Sequence, residues 1–270
     1  MISLLSLLTL LTLAACKTTP TVNTTTTANI NAGAPYYWLS YSSPKALKIS
    51  ESFSVDEVQN IVDMSSAWKT SVSNKKTFFD HGTDRIPEIS NSVSNLDNLR
   101  DQVLGIYKTT TWPANLPGSA LAVTQLFGRR YNIGASDEYV NIEHADILVN
   151  FDIYTFDTND TGNGFDLRTV LLHEMGHFIG LTHKGLNSDT NASIMYPSVG
   201  PTTVKRVPTV VDAADISAKY NIGVSSQRVE PRPRTGGDEV RIILELHADG
   251  ECVHRVNGTA FERHSLKLDR

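Results

Sequence analysis

An eleven-residue segment that reads H-E-x-x-H-x-x-G-x-x-H constrains this chain more than any other feature. Residues four apart share one face of a helix, so His173 and His177 can present two imidazole rings to one point. Gly180 should end the helix, because glycine adopts a left-handed conformation at little cost, and the returning chain then brings in His183. Three neutral imidazoles leave one tetrahedral position open, which is typical of catalytic zinc. Glu174 is placed to act on a water molecule as a general base rather than to bind the metal.

A methionine-containing segment supports this interpretation. It reads Ser-Ile-Met-Tyr-Pro, and its methionine, Met195, lies twelve residues after His183. A lone H-E-x-x-H occurs by chance on ordinary helices, but the two segments together resemble those of the metzincin zinc peptidases, and Met-Tyr-Pro is most similar to the matrixins. The resemblance implies that Met195 forms a hydrophobic floor beneath the histidines. It also implies that Tyr196 and Pro197 form part of the wall of the S1′ pocket.

Two residues depart from the patterns of these families. Lys184 follows the third histidine, where matrixins usually have Ser or Thr, astacins Glu and adamalysins Asp. Tyr196 comes one residue after Met195, whereas the metal-contacting tyrosine of astacins and serralysins comes two residues after their methionine. We therefore do not assign Tyr196 as a metal ligand.

The resemblance covers residues 36–223 and implies an α+β fold of the metzincin, zincin-like type. This fold has a twisted, mostly parallel sheet, an active-site helix and a C-terminal helix, here with a small C-terminal β extension. A capping box at Ser54 and Glu57 predicts a helix that runs to Trp68, and residues 210–220 resemble the closing helix. Strands are predicted at Lys45–Ile49, Thr77–Phe79, Ala120–Phe127 and Tyr139–Phe151, with a less regular, partly helical insertion at 83–118. The two longest strands should supply an edge along which an extended substrate pairs.

Two groups of polar residues could bind a metal ion, but each has a simpler explanation. His144 lies in the segment Glu-His-Ala-Asp-Ile, which resembles a matrixin strand, and we expect a solvent-facing histidine rather than another ligand. Calcium, which takes oxygen ligands, is an alternative for the acidic segment at 152–165. Turn formation around Gly162 and Gly164 explains the same residues without calcium. The segment is also too short for the loop that carries structural zinc and calcium in vertebrate matrixins, so we expect a single zinc ion.

The N-terminal segment predicts export and lipid attachment. Residues 2–13 are apolar and too short to span a bilayer, but they suit the core of a signal peptide. They end in Leu-Ala-Ala-Cys, which resembles the lipobox of bacterial lipoproteins and implies a lipid on Cys16. The alternative is ordinary cleavage after Ala15, followed by secretion. The resemblance implies the bacterial cell envelope, and Lys17 favours the outer membrane if the source is Gram-negative.

The remaining regions give the domain organisation. Residues 227–237 are predicted to form a linker, and the alternating residues after it predict a hairpin that packs on the catalytic domain. Cys252 could serve as a latency ligand, but an unpaired cysteine is the simpler interpretation. The predicted domains are a signal peptide at 1–15, a lipidated cysteine and flexible tether at 16–35, a zinc metallopeptidase domain at 36–223, and a linker and β extension at 224–270.

The sequence as a whole predicts a zinc-dependent endopeptidase of the cell envelope, anchored through Cys16 and acting as a monomer on protein or peptide substrates. A net charge of −5 gives no reason to expect nucleic acid as a partner. Two alternatives remain open. One is a non-catalytic surface module that zinc stabilises, and the other is a zinc hydrolase that acts on cell-wall peptides.

Overall fold

A computed structural model of the chain describes residues 34–39, 41, 43–87, 96–184, 193–197, 199–222, 237–248 and 251–265, with side chains in the last range only for 253–258. Cys16 and nearly all of its predicted tether lie outside the described residues. Within the described ranges, none of the helices combines the length and the apolar content that a membrane crossing needs.

Three α-helices lie within the described residues, and each is predicted from apolar spacing, a capping box or the histidine motif. Helix α1 (Val55–Ser71) begins at the Ser54–Glu57 capping box. Helix α2 (Leu167–Phe178) carries the first two histidines and has Asp166 as its N-cap. Helix α3 (Val210–Lys219) begins at a second capping box, formed by Thr209 and Asp212. Both capping boxes satisfy backbone N–H groups that the first helical turn leaves without partners.

The main sheet has nine strands, and the part on one side of β7 is parallel. Its strands are β1 (Tyr36–Tyr37), β3 (Lys48–Ser50), β5 (Arg85–Ile86), β6 (Gly105–Thr109), β7 (Ala120–Tyr131), β8 (Tyr139–Asn150), β11 (Asp238–His247), β12 (Glu251–Val256) and β13 (Thr259–Ser265). They are ordered β13-β12-β11-β7-β8-β6-β3-β5, and β1 also pairs with β8. The strands β1, β3, β5, β6 and β8 pair in parallel, whereas β7 is antiparallel to β8. Two small sheets stand apart from it, formed by β2 (Lys45–Ala46) with β4 (Phe79–Asp80) and by β9 (Phe156–Asp157) with β10 (Phe165–Asp166).

The α+β fold expected from the sequence is confirmed, but the segment at 83–118 is not an insertion. It contributes β5 and β6 to the main sheet, and its helical part is a short 3-10 turn at Leu96–Leu99. These strands are short and carry no long alternating pattern, so periodicity does not predict them. The strand predicted at Thr77–Phe79 is shifted to β4, which pairs with β2 and not with the main sheet.

The free strand edge expected for substrate is not free in this structure. Strand β7 pairs with β8 along one edge and with β11 along the other, from Arg130 to Ala120. The prediction of an open edge is therefore wrong for the described structure. The reason is physical: β11 has aliphatic side chains at alternate positions, and it buries them by extending the sheet.

Helix α2 is held in the core by hydrogen bonds to its backbone from aromatic side chains. The indole N–H of Trp68 on α1 donates to the carbonyl of Leu172 at 3.0 Å. The indole N–H of Trp38 donates to the carbonyl of Phe178 at 2.9 Å. The bond to Phe178 satisfies a carbonyl at the end of the helix, and the bond to Leu172 ties the middle of the helix to α1.

Candidate metal centre

The three histidines of the motif meet at one point, as the spacing predicts. His173 and His177 project from the same face of α2, which ends at Phe178. Gly180 has a φ of +91°, and an added Cβ there would lie 2.6 Å from the carbonyl oxygen of Tyr36. Only glycine combines this conformation with so close an approach. The chain turns there, and His183 joins the other two in a buried group of potential metal ligands.

Backbone carbonyls fix which nitrogen of two of these rings is protonated. Nδ1 of His173 lies 2.9 Å from the carbonyl oxygen of Ile194. Nδ1 of His177 lies 2.9 Å from the carbonyl oxygen of Leu181. A carbonyl oxygen only accepts hydrogen bonds, so each Nδ1 carries the proton and each Nε2 presents a lone pair. This is the arrangement in which outer partners orient metal-binding histidines.

The geometry and the pKa values of these rings fit a zinc ion. Nε2 of His183 lies 3.0 Å from Nε2 of His173 and 2.9 Å from Nε2 of His177. Tetrahedral zinc with Zn–N bonds of about 2.0–2.1 Å would hold its ligand nitrogens about 3.3 Å apart. Burial lowers the pKa of His173 to about 4 and the pKa of His177 well below its usual value. Both rings are therefore neutral, as metal binding requires.

Glu174 lies beside the histidines in a fully buried position. Its Oε2 accepts a hydrogen bond of 2.5 Å from the hydroxyl of Thr124 on β7. Its Oε1 is buried and has no hydrogen-bond partner among the described residues. Burial raises the pKa of Glu174 to about 8, while the Thr124 hydroxyl acts in the opposite direction. A divalent cation nearby would also lower this pKa, because it favours the carboxylate.

Met195 is buried beside the helix that carries the first two histidines, and its place as a floor beneath their rings stays a prediction. A Cβ added to Gly176 of α2 would lie 2.3 Å from the Met195 sulfur and 3.0 Å from the Trp68 ring. The glycine in the middle of the motif therefore lets the methionine turn pack directly against the active-site helix. No motif in the sequence predicts this contact.

A buried carboxylate holds the methionine turn against α3. Asp212 accepts hydrogen bonds from the hydroxyl of Ser193 and from the backbone N–H of Ile194. It also accepts from the backbone N–H and the hydroxyl of Thr209 in its own capping box. Because the carbonyl of Ile194 orients His173, Asp212 links the start of α3 to a metal-facing ring.

The residues around the methionine turn have distinct surroundings. Pro197 is buried and Tyr196 is half-buried, with the Lys205 ammonium 5.6 Å from the centre of its ring. Lys184, which departs from the family pattern, forms an ion pair with Asp215 on α3. This unusual residue therefore connects the segment after the third histidine to the closing helix.

His254 was not predicted as part of the site, yet it contacts the third histidine. It lies on β12, is 1% exposed, and its Nε2 meets Nδ1 of His183. The metal-facing nitrogen of His183 is Nε2, so His254 is an outer partner of this ring and not a ligand. No motif surrounds His254, and only the pairing of the C-terminal strands brings it to the site. Cys252 is the residue that could serve as a latency ligand, and its side chain lies outside the described part of the structure.

His144 is buried, so the expected solvent-facing histidine is wrong. Strand β8 lies between β7 and β6, with both faces covered, and His144 is 2.8 Å from the Oδ2 atom of Asp146. Burial alone would lower the pKa of His144, but Asp146 raises it above its ordinary value. Burial raises the pKa of Asp146 to about 6 against the opposing effect of His144. This pair is structural and lies outside the group of metal-facing histidines.

The acidic segment after β8 uses its carboxylates to form turns, as predicted. Asp157 accepts hydrogen bonds from the backbone N–H groups of Asn159, Thr161 and Gly162. Burial would raise its pKa, but these N–H groups outweigh that effect and lower the pKa to about 2. Asp160 forms ion pairs with the side chains of Arg168 and Arg206.

Comparisons with known proteins agree with this geometry. The profile of the matrixin peptidases matches residues 59–221, which is more than half of the chain. The chain is also 32% identical over 90 residues to the metalloendoproteinase 1-MMP of Arabidopsis thaliana. That alignment covers 33% of this chain and 21% of the plant protein, so the chain spans well under two thirds of the relative's length.

Proposed function

Since the chain belongs to the matrixin family of metallopeptidases, we propose that it is a zinc-dependent endopeptidase that hydrolyses internal bonds of extended protein or peptide substrates. One observation carries this proposal. Three metal-facing imidazole nitrogens converge beside a buried glutamate, one of whose oxygens has no hydrogen-bond partner among the described residues. A site that served only for stability would need no base beside an open metal position.

Zinc would be held by Nε2 of His173, His177 and His183. When bound, it would supply Lewis acidity, which lowers the pKa of water and polarises a carbonyl group. The carbonyls of Ile194 and Leu181 keep two of the rings in the required tautomer. By the family resemblance, the buried Met195 would form an apolar floor beneath the rings.

Glu174 would act as the general base and then as the general acid. The Thr124 hydroxyl holds Oε2, which leaves Oε1 to accept a proton from the attacking water. Burial makes this carboxylate more basic than one in solvent, and a base works best when its pKa lies near the working pH. The protonated acid then delivers its proton to the nitrogen of the leaving amine.

We extend the proposal to substrate recognition and location. Tyr196 and Pro197 would form part of the wall of the S1′ pocket, which follows from the family resemblance. Lipid attachment at Cys16 would hold the enzyme at a bacterial cell envelope, after a signal peptide that ends at Ala15. Metabolic labelling with a fatty acid tests this anchor, since a Cys16→Ser chain should take up no label while the original chain does.

Two variants of the full chain test the function. Glu174→Ala should keep about one zinc ion per chain, because the three imidazoles remain, but it should lose peptide cleavage by several orders of magnitude. His177→Ala should lose both zinc and cleavage. Metal analysis and mass spectrometry of a peptide mixture measure the two effects, with a chelator as a control. Undiminished cleavage by Glu174→Ala would refute its role.

The same measurements separate the alternatives. Zinc without cleavage of any protein or peptide, even over long incubations, would favour the zinc-stabilised binding module. Cleavage of cell-wall peptides alone would favour the hydrolase of cell-wall cross-links.

A further inference from the structure

The C-terminal strands occupy the edge of the sheet that borders the metal centre. Strand β11 runs antiparallel to β7, from the pair Asp238–Arg130 to the pair His247–Ala120. Peptide recognition by strand addition needs an edge with unpaired N–H and C=O groups. Strand β11 uses those groups of β7 over its whole length. An extended substrate cannot pair with β7 while β11 is in place.

One row of side chains across these strands lies over the site. In register, Thr124 of β7 opposes Leu244 of β11, and Leu244 opposes His254 of β12. Directly opposed residues share one face of a sheet. At one end of this row Thr124 contacts Glu174, and at the other end His254 contacts His183. It spans about 10 Å, or two strand spacings.

The site beneath this row is closed to solvent. His173, Glu174 and His177 are each 0% exposed, and His183 is 9% exposed. Leu244, between the two contacting residues of the row, is also fully buried. The side chains that would meet a substrate are therefore covered by a segment of the same chain.

Strands β11 and β12 pack in a defined position, because the side chains on both of their faces have partners. On the face that carries Leu244, its apolar neighbours at alternate positions belong to the main hydrophobic core. On the other face, Glu245 is fully buried, accepts a hydrogen bond from Arg255 at 2.6 Å and contacts His247 at 3.0 Å. His247 in turn contacts the hydroxyl of Ser119 at 2.9 Å. Spontaneous release of these strands should therefore be rare.

We propose that β11 and β12 are an internal occupant of the substrate cleft, which keeps the enzyme latent until they are displaced. The inference rests on the proposed peptidase function. Strand β11 takes the place of an extended peptide, and its alternating Val240, Ile242, Leu244 and Leu246 indicate the substrate class, an extended strand with aliphatic side chains facing the site. His254 completes the closure by contacting the third histidine.

A reversible covalent lock tests this proposal in the full chain. Arg129 and Glu239 oppose each other across β7 and β11, and both lie away from the metal centre. A chain with Arg129→Cys and Glu239→Cys can join the strands by a disulfide at the spacing of a cross-strand pair. Oxidation should reduce cleavage of an aliphatic peptide to the level of Glu174→Ala, and a phosphine reductant should restore it. The Arg129→Cys chain under the same treatments is the control.

A second variant opens the cleft. Leu244→Pro removes a backbone N–H from β11 and should loosen its pairing with β7, whereas Leu244→Val keeps the strand intact. The zinc-loaded Leu244→Pro chain should bind an aliphatic peptide hydroxamate more tightly than the original and Leu244→Val chains, and it should cleave peptides faster.

Hydroxamate binding separates the two ideas, because it needs an accessible metal but no turnover. In one outcome, hydroxamate binding is stronger in the opened Leu244→Pro chain and weaker in the oxidised, locked chain while none of the chains cleaves a peptide. That result would refute the peptidase function but support β11 and β12 as an internal occupant of the cleft. Equal hydroxamate binding in the locked, original and opened chains would overturn the occupant. If Leu244→Pro does not fold, the oxidised and reduced lock decides alone, and equal cleavage in its two states overturns the proposal.

Discussion

The metal centre depends on the tautomers of single histidine rings. His173 and His177 each face a backbone carbonyl with Nδ1, which leaves Nε2 as an acceptor toward the shared point. Neutral acceptors that converge at 2.9–3.0 Å repel one another unless a proton or a cation lies between them. A zinc ion satisfies all three rings at once. The sequence identified these residues, but the carbonyls that select the tautomers come from the folded backbone.

The carboxylate of Asp157 should contribute to the stability of the fold in a pH-dependent way. Its folded pKa of about 2 is lower than the ordinary 3.8. The carboxylate therefore stabilises the fold fully above about pH 5, and this contribution is lost as pH falls from about 4 to 2. Urea unfolding of the original and Asp157→Asn chains should show a stability difference that is largest near pH 6 and shrinks toward pH 3. A difference that stays constant over this range would contradict the assignment.

Residue roles were predictable where a motif carries the geometry. The spacing of the histidines, Glu174 and Gly180 is local, so helix periodicity and glycine conformation place them. His144 was wrongly expected to face solvent, because a strand's own pattern does not show that both of its faces are covered. His254 was missed for a similar reason, since its contact with His183 joins residues 71 positions apart.

The capping box at the start of helix α3 should be coupled to the metal centre through Asp212. Asp212→Ala should lower the free energy of unfolding by about 3 kcal/mol, because it removes a buried carboxylate with four hydrogen bonds. It should also weaken zinc binding, since the Ile194 carbonyl that orients His173 loses its support. Chemical unfolding and competition with a zinc chelator measure the two effects.

A neighbouring acid on the same helix is the control. Asp215 forms a partly exposed ion pair with Lys184, so Asp215→Ala should cost at most about 1 kcal/mol. Equal losses of stability in Asp212→Ala and Asp215→Ala would show that Asp212 does not link α3 to the methionine turn.

Elements with local signals were predicted better than elements defined by distant partners. A capping box with apolar spacing placed α1, and apolar spacing placed α3, within a few residues of their observed ends. The alternating residues of β11 predicted a strand, yet its partner β7 lies more than 100 positions earlier in the chain. Short strands such as β5 have too few residues to show a period, so their place in the sheet emerges only on folding.

At the scale of the whole molecule, the sheet joins the catalytic region to the C-terminal extension. Helix α2 packs against β7 and β8 near the middle of the sheet, and β11 to β13 continue the same sheet beyond β7. A hairpin alone is marginally stable, so this extension gains its stability from the sheet it joins. The same pairing covers the metal centre, which links the architecture directly to control of activity.

Zinc titration of the metal-free full chain tests the central claim most directly. Internal cleavage of an aliphatic peptide, followed by mass spectrometry over long incubations that allow rare opening, should rise with added zinc and level off at about one ion per chain. The Glu174→Ala chain should take up the same zinc without cleaving. Cleavage that continues without metal, or that proceeds equally in both chains, would contradict the account of this protein as a zinc-dependent endopeptidase.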